Sequence, residues 1–434
     1  MLAQETATSG GTSELHCELR PSRHPSPTWP EARQLAFDCA VPLAPVDVPL
    51  RLAAGHTLTR DVAALQKLPH YDSSAMDGWA INGDGPWRLT NHEPFLYPGS
   101  ASVIATGGQV PSGAQSILRK ESGRIHQNAG GGLLLRLNDS AKEGEPGPGQ
   151  HIRPAGEEAA AGEVLIRAGT ILNPGHIALA AVAGHDSLQV QPRPVVGIVL
   201  TGSEVVTAGV PDPGQVRDTF GPQLGTVIAM LGGTPAGPVR IGDTYTEWLT
   251  ALGGSKAFPG GTPDVTITTG GTGRSETDHF RAAVAALGGR LLLDGIAMRP
   301  GHPAVLAALP DGRFVVGLPG NPLAAMMALT TIGAPLLEAL GGRQLSAVGQ
   351  STSAADIDPC PGRTRLIPCR FIEGLAFPAS HTGPGMMRGL ARADGVMAVP
   401  PGGVQSGEPV PVLPLPWTQS NETIVVGAVP KTSF

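Results

Sequence analysis

The tightest constraint on this chain lies in residues 264–278. There a β-branched run, Val265-Thr266-Ile267-Thr268, breaks into Thr269-Gly270-Gly271-Thr272-Gly273. The run predicts a short buried strand. Phe280, Val284 and Leu287, at i, i+4 and i+7, predict a helix after the turn. Strand, glycine turn and helix together present backbone N–H groups to an anion. The same glycines also suit a plain βα turn that needs them only for its backbone angles. Both readings stand at this level.

The surrounding pattern extends the constraint. Val195-Val196-Gly197-Ile198-Val199-Leu200 is fully apolar, as a strand buried on both faces of a parallel sheet would be. Leu224, Ile228 and Leu231 mark a helix, Val239-Arg240-Ile241 a short strand, and Trp248 to Leu252 a further helix. Such alternation predicts an open, mostly parallel α/β sheet over residues 194–345. Ligands of these sheets sit beyond the carboxyl ends of the strands. Thr201-Gly202-Ser203-Glu204, Asp243 and residues 269–278 are the loops expected at that edge. Further on, Leu318-Pro319-Gly320-Asn321-Pro322 combines an N-cap residue with proline at the first helical position. The helix it opens is expected to run through Met326, Leu329, Ile332 and Leu336, with a second anion-ready N-terminus.

The remaining chain divides around this body. Residues 1–27 are polar and proline-dotted and are expected to form a disordered tail. Residues 28–60 and 150–193 are expected to form a split N-terminal domain, opening on a helix whose Ala32, Leu35, Ala36 and Cys39 share a face. Residues 61–149 are expected to form a β-rich domain, closed by a linker at 142–150 that carries Gly-Pro and Pro-Gly dipeptides. Residues 346–434 are expected to form a C-terminal β domain. The fold class is therefore multidomain, α/β plus β. The 60 glycines and 43 prolines, about a quarter of the chain, fit many loops between short elements, and 41% apolar residues suffice for a core.

Thirty-six acidic against 30 basic residues argue against nucleic acid or a membrane surface as partner. No apolar run is expected to approach the 18 or so residues that span a bilayer. The first thirteen residues lack a signal-peptide pattern. Cys17, Cys39, Cys360 and Cys369 have no CxxC or zinc spacing, which suits reduced thiols in the cytoplasm. There is no G-x-S-x-G, H-E-x-x-H or Walker lysine loop, so esterase, zinc-protease and P-loop ATPase chemistry is disfavoured. What recurs is a carboxylate beside a glycine or small hydroxyl: Asp77, Glu204, Asp218, Asp243 and Asp278. Several such groups on one sheet edge would hold Mg²⁺ bridging to phosphate oxygens, whereas each alone serves equally as a cap or turn residue. Arg299 and His302 flank a Pro-Gly turn and are candidates to neutralise an anion, or an exposed turn with a solvated Arg.

With these residues in place a family resemblance emerges. Leu68-Pro69 through Ser74-Ala75-Met76-Asp77-Gly78-Trp79-Ala80 resembles the SAMDGYA signature of molybdopterin molybdenumtransferases, the family that includes the C-terminal domain of gephyrin. Thr106-Gly107, Pro111-x-Gly113-Ala114 and Glu121 resemble its TGA…PxGAD…E segment. Thr201-Gly202-Ser203-Glu204 resembles TGDE, Arg299-Pro300-Gly301-His302-Pro303 resembles KPGKP, and Leu318-Pro319-Gly320-Asn321-Pro322 matches LPGNP. Gly362-Arg363 and Ala393-Asp394-Gly395 with Pro400 resemble the C-terminal domain. The motifs occur in family order from about residue 29 onward.

The resemblance implies an elongated four-domain homodimer, with each active site between the α/β domain of one subunit and the second domain of the other. It implies that molybdate and adenylylated molybdopterin give molybdenum cofactor and AMP with Mg²⁺, downstream of a molybdopterin adenylyltransferase. It assigns catalytic roles to Asp77, Glu204, Asp243, Asp278, Arg299 and His302, with Asp77, Glu204 and Asp243 at the metal. It assigns substrate contacts to Ser74, Thr106, Thr201, Gly202, Ser203, Gly270, Gly271, Thr272, Gly273, Pro319, Gly320, Asn321 and Pro322. The chain departs from the family pattern where GGVSVG becomes Gly270-Gly271-Thr272-Gly273-Arg274-Ser275 and where two lysines become Arg299 and His302. It also departs where GED becomes Gly156-Glu157-Glu158 and where DSN becomes Asp218-Thr219-Phe220. The glycine loop resembles the TTGGTG of adenylyltransferases, so the adenylyltransferase step is one alternative. A non-catalytic molybdopterin-binding scaffold is the other.

Overall fold

The computed structural model describes residues 26–418, apart from 92, 128, 129, 255, 256, 259 and 274–277. Almost all of the expected N-terminal tail, the last sixteen residues, and Arg274 and Ser275 of the glycine loop therefore lie outside the described residues.

The first element is helix α1 (Trp29–Asp38), opened by a Thr28–Glu31 capping box with Pro30 in its first turn. Its buried face is Trp29, Ala32, Arg33 and Ala36, while Leu35 is exposed and Cys39 half-buried. This corrects the expected face. Arg33 turns inward because its guanidinium donates to the carbonyls of Thr330 (3.1 Å) and Ser346 (2.9 Å) and lies over the Trp29 ring. The face of α1 joins the core of the α/β body, with Trp29 Nε1 donating to Thr331 Oγ1 at 3.0 Å.

A small antiparallel sheet of Val46–Pro49, Ser187–Gln191 and Thr57–Leu58 pairs segments from both sides of the next region. That region is a six-stranded sheet of β1 (Gly78–Asn82), β2 (Trp87–Thr90), β3 (Ser100–Ile104), β4 (Ser116–Arg119), β5 (Gly123–Gln127) and β6 (Leu133–Leu137), in the order β4-β1-β3-β2-β6-β5. Trp79, Ile81, Trp87, Leu118 and Leu135 fill its core. The expected linker at 142–150 is not a loose connection. Glu145 is buried and takes both edges of the Arg119 guanidinium, at 2.9 and 3.1 Å.

The α/β body contains β7 (Val195–Leu200), α2 (Leu224–Met230), β8 (Thr234–Arg240), α3 (Tyr245–Gly253), β9 (Val265–Thr269), α4 (Phe280–Ala286), β10 (Arg290–Asp294), β11 (Met298–Arg299), β12 (Val305–Ala308) and β13 (Phe314–Leu318). Its sheet order is β8-β7-β9-β13-β12-β10, with β8, β7, β9 and β13 mutually parallel and the last two joins antiparallel. Every residue of β9 and β13 is buried, as their β-branched and apolar sequences require.

Helix α5 (Pro322–Leu340) then crosses the core, with a π turn at Leu329–Gly333. Thr330 sits in that turn, and its carbonyl is the one Arg33 takes. Among the described residues this is the one helix long and apolar enough to cross a bilayer, with mean hydropathy 1.6, and 83% of that window is buried in the protein. The expectation that no apolar run approaches that length is corrected: Pro322–Leu340 reaches it by length and mean hydropathy even though Thr330, Thr331 and Glu338 interrupt it.

The chain closes with β14 (Gly349–Ser353), β15 (Thr364–Ile372), β16 (Leu375–Pro378), β17 (Gly395–Val399) and β18 (Pro409–Pro414). They pair as β15-β16-β14-β18-β17, and β17 pairs back onto β15, so the ring closes and leaves no free edge within it. Strand β11 joins this sheet through β15, coupling Arg299 to the C-terminal domain.

Candidate functional site

The parallel strands deliver four loops to one edge. From β7 the chain runs through α2 to β8 on one side, then crosses back to β9 on the other side of β7. The reversal places a crevice between the carboxyl ends of β7 and β9, where open α/β sheets bind ligands. At that point Thr201 Oγ1 donates to the Thr269 carbonyl at 2.5 Å and ties the two loops together. The Gly270 N–H donates to the Leu318 carbonyl at 2.9 Å, bringing in the loop after β13. A Cβ on Gly320 would lie 3.8 Å from Gly270 Cα, so the two backbones run side by side.

Glycine is required at the turn for two reasons. Gly270 and Gly271 have φ of 81° and 65°. A Cβ on Gly271 would also lie 2.4 Å from Cζ2 of buried Trp248, and one on Gly270 would lie 2.7 Å from Thr201 Oγ1. Among the described residues, the backbone N–H groups of Gly271, Thr272 and Gly273 have no hydrogen-bond partner. Asp278 lies close below, its Oδ2 2.5 Å from where a Cβ of Gly273 would stand. Helix α4 begins two residues later with His279 as an uncapped N-cap, so this two-turn helix adds little to the loop. Asn321 occupies the expected N-cap position before Pro322, but its side chain makes no capping bond.

The second cluster lies on the β-rich domain. Ser73 and Ser74 pair with Ile152 and Arg153, and Ser74 is fully buried. Its backbone exchanges bonds with Gly107 (2.8 Å) and Gly108 (2.9 Å), and its hydroxyl bonds the Met76 carbonyl at 2.5 Å. This frame projects exposed Asp77, whose Oδ1 accepts from the Thr106 N–H (2.7 Å) and the Thr106 hydroxyl (2.8 Å). Those bonds, the backbone one foremost, hold its carboxyl below the usual aspartate range. Gly78 follows because a Cβ there would sit 2.0 Å from the Leu118 carbonyl oxygen across the β1–β4 pair.

Three family models match in order: the MoeA N-terminal region (domain I and II) over residues 28–184, a probable molybdopterin binding domain over 197–339, and the MoeA C-terminal region (domain IV) over 350–415. The chain belongs to the MoeA family. A molybdopterin molybdenumtransferase of Nostoc sp. is 29% identical over 76% of this chain and 80% of its own length. Molybdopterin molybdenumtransferase 2 of Mycobacterium tuberculosis is 28% identical over 82% of this chain and 91% of its own. A crystal structure of the molybdopterin biosynthesis moeA protein from Pyrococcus horikoshii has the same fold, with TM-score 0.65 and 23% identity over 89% of this chain and 99% of that one.

Within this MoeA-family frame the charged residues separate by role. Glu204 and Asp243 are exposed at the ends of neighbouring strands β7 and β8. Asp218, expected among the recurring carboxylates, is engaged elsewhere. Burial works against its charge, but the Gly221 and Phe220 N–H groups and the Arg240 guanidinium hold its pKa below the usual range. Among the described residues no group of three or more His, Cys, Asp or Glu side chains is placed to hold a metal ion. Asp77 belongs with Thr106 on the β-rich domain, while Glu204 and Asp243 lie on the parallel sheet, so one chain does not gather the expected metal set. Arg299 is exposed. His302 is half-buried with Nδ1 2.7 Å from the Ile296 carbonyl, so one ring nitrogen pins its own turn. Sequence reasoning missed Arg281 and the placement of Trp248 beneath the glycine loop. For Trp248 the only signal is a large aromatic on the preceding helix, opposite consecutive glycines.

Proposed function

We propose that this MoeA-family protein is a molybdopterin molybdenumtransferase, taking molybdate and adenylylated molybdopterin to molybdenum cofactor and AMP. The observation that carries the reading is the reversal between β7 and β9, where the glycine loop leaves the Gly271, Thr272 and Gly273 N–H groups without a partner among the described residues and exposed Glu204 and Asp243 follow the ends of the neighbouring strands. Backbone N–H groups fixed in advance suit phosphate oxygens and need no reorganisation as charge develops. Ser203, Gly202 and Pro319 would contact the substrate from the loops after β7 and β13.

Mg²⁺ characteristically takes one or two protein carboxylates and finishes its shell with phosphate oxygens and water. Glu204 and Asp243 are the residues that would hold such an ion, which would offset negative charge at the phosphoanhydride. Asp77, held ionised and exposed by Thr106, would act on the substrate from the second domain of a partner in a homodimer. Arg299 would supply fixed positive charge to the substrate and His302 a lesser one. A molybdopterin adenylyltransferase would supply the substrate. The free thiols Cys39, Cys360 and Cys369 suit a reducing cytoplasm.

The test is AMP release by the purified protein given adenylylated molybdopterin, Mg²⁺ and molybdate. AMP release that rises with molybdate supports the proposal; folded protein with no molybdate-dependent release overturns it.

A further inference from the structure

Arg281 lies on α4 but does not extend into solvent. Its Nη1 donates to the carbonyl oxygens of Thr272 (3.1 Å) and Gly273 (2.5 Å). Its Nε and Nη2 both reach Asp294 Oδ1 on β10, at 3.1 and 2.5 Å, and both side chains of this pair are largely shielded from water. One face of the guanidinium thus holds the loop and the other holds the sheet. In a trans peptide the C=O and N–H point in opposite directions. With the Thr272 carbonyl drawn toward Arg281, the Gly273 N–H is turned to the opposite side of the loop.

The loop has no freedom to relax this arrangement from below. Trp248 stands against Gly271 and meets Phe280 edge-to-face at 6.0 Å. Thr272 is buried, with its methyl carbon 2.7 Å from where a Cβ of Gly317 would stand. The aromatic floor therefore fixes the height of the loop, and Arg281 fixes which way its peptide faces.

We propose that Arg281 is a positioning residue: by holding the Thr272 and Gly273 carbonyls on one side, it presents the Gly273 N–H to a phosphate of the nucleotide-linked substrate. This rests on the transferase reading above. Four of the five Arg281 N–H donors go to the two carbonyls and Asp294, which assigns Arg281 to the loop rather than to the substrate.

The test is steady-state AMP release by wild type, Arg281→Ala and Arg281→Lys at saturating molybdate, with thermal unfolding of each. Loss of one charge-assisted amide–phosphate bond should raise the Arg281→Ala KM for adenylylated molybdopterin about tenfold while kcat stays within about twofold. Arg281→Lys should recover part of that loss, because a point charge can hold one carbonyl but not the fork geometry. A purely structural role would instead lower kcat together with Tm and leave KM in place, and that result overturns the proposal. Should Arg281→Ala not fold, Asp294→Ala removes the acceptor at the outer edge of the guanidinium, and its KM should rise in the same direction; an unchanged KM overturns the proposal. Wild type turning over normally beside an unmoved Arg281→Ala KM sinks this inference alone. Wild type with no molybdate-dependent AMP release sinks the transferase reading and this inference together.

Discussion

Replacing Glu145 by glutamine should destabilise the β-rich domain by an amount that depends on pH. Glu145 accepts from Arg119 Nε and Nη2, and its Oε2 also accepts from the Lys142 N–H at 3.1 Å. Its side chain is 2% exposed. The Arg119 bonds foremost, working against burial, bring its pKa from 4.5 down to about 2. Because the folded value is depressed, the stabilisation is fully present above the unfolded value near 4.5 and is lost as pH falls toward 2. A shift of this size corresponds to roughly 3 kcal/mol at neutral pH, an upper figure because Arg119 is partly solvated. Each kcal/mol is worth about 4–8 °C of Tm in a domain of modest size. Trp79 and Trp87, both in the core of this sheet, report its unfolding by fluorescence. The Tm gap between wild type and Glu145→Gln should be widest at pH 6–7 and narrow steadily below about pH 4.5. A gap that is the same at pH 7 and pH 3 would refute the assignment of this stability to the ionised Glu145–Arg119 pair. Arg119 pairs with Gly78 in register, so the same variant tests whether the Asp77 segment depends on this anchor.

Further outcomes follow from the site. Asp77→Asn should lower AMP release by about tenfold or more with Tm unchanged. Thr106→Val should cost less, since the backbone N–H to Asp77 remains; equal rates in wild type and Asp77→Asn would remove Asp77 from the mechanism. Gly271→Ala forces a Cβ against Trp248 at a positive φ, costing on the order of 1–3 kcal/mol by thermal unfolding, and an unchanged Tm would show that the loop is not clamped as described. His302→Ala should lower stability by about 0.5–1.5 kcal/mol through loss of the Ile296 bond and alter turnover less than Arg299→Ala, and the reverse ranking of rates would restore His302 as the principal cation.

The α/β body was legible because its signals are local. Val195–Leu200 and Val265–Thr269 carry their burial in consecutive apolar or β-branched residues, and Gly270-Gly271 carry the turn. The departures were set by partners distant in sequence. A helical-face rule puts Leu35 inside and Arg33 outside, but it cannot know that a π turn some 300 residues on leaves a carbonyl for Arg33. Residues 142–150 look like a linker by composition, yet Glu145 finds its cation 26 residues upstream. At Gly78 in the Ser-Ala-Met-Asp-Gly-Trp segment the constraint is likewise distant, since the Leu118 carbonyl excludes any side chain there.

The glycine loop shows the same division in one place. Its residues state that the backbone is bare at this turn, but glycine has no side chain to say which way each peptide faces. That direction comes from Arg281 and Asp294 on one side and from Trp248 and Phe280 beneath. The family pattern and this chain differ most within residues 272–275, where side-chain identity changes but a backbone cradle need not. An anion site built from peptide N–H groups tolerates such changes as long as the groups orienting the peptides persist. It follows that Thr272→Val, which keeps the buried methyl contact with Gly317 and removes only the hydroxyl, should leave KM for adenylylated molybdopterin nearly unchanged, while Arg281→Ala should not. Equal KM increases in the two variants would mean that the Thr272 hydroxyl, and not the oriented peptide, makes the contact.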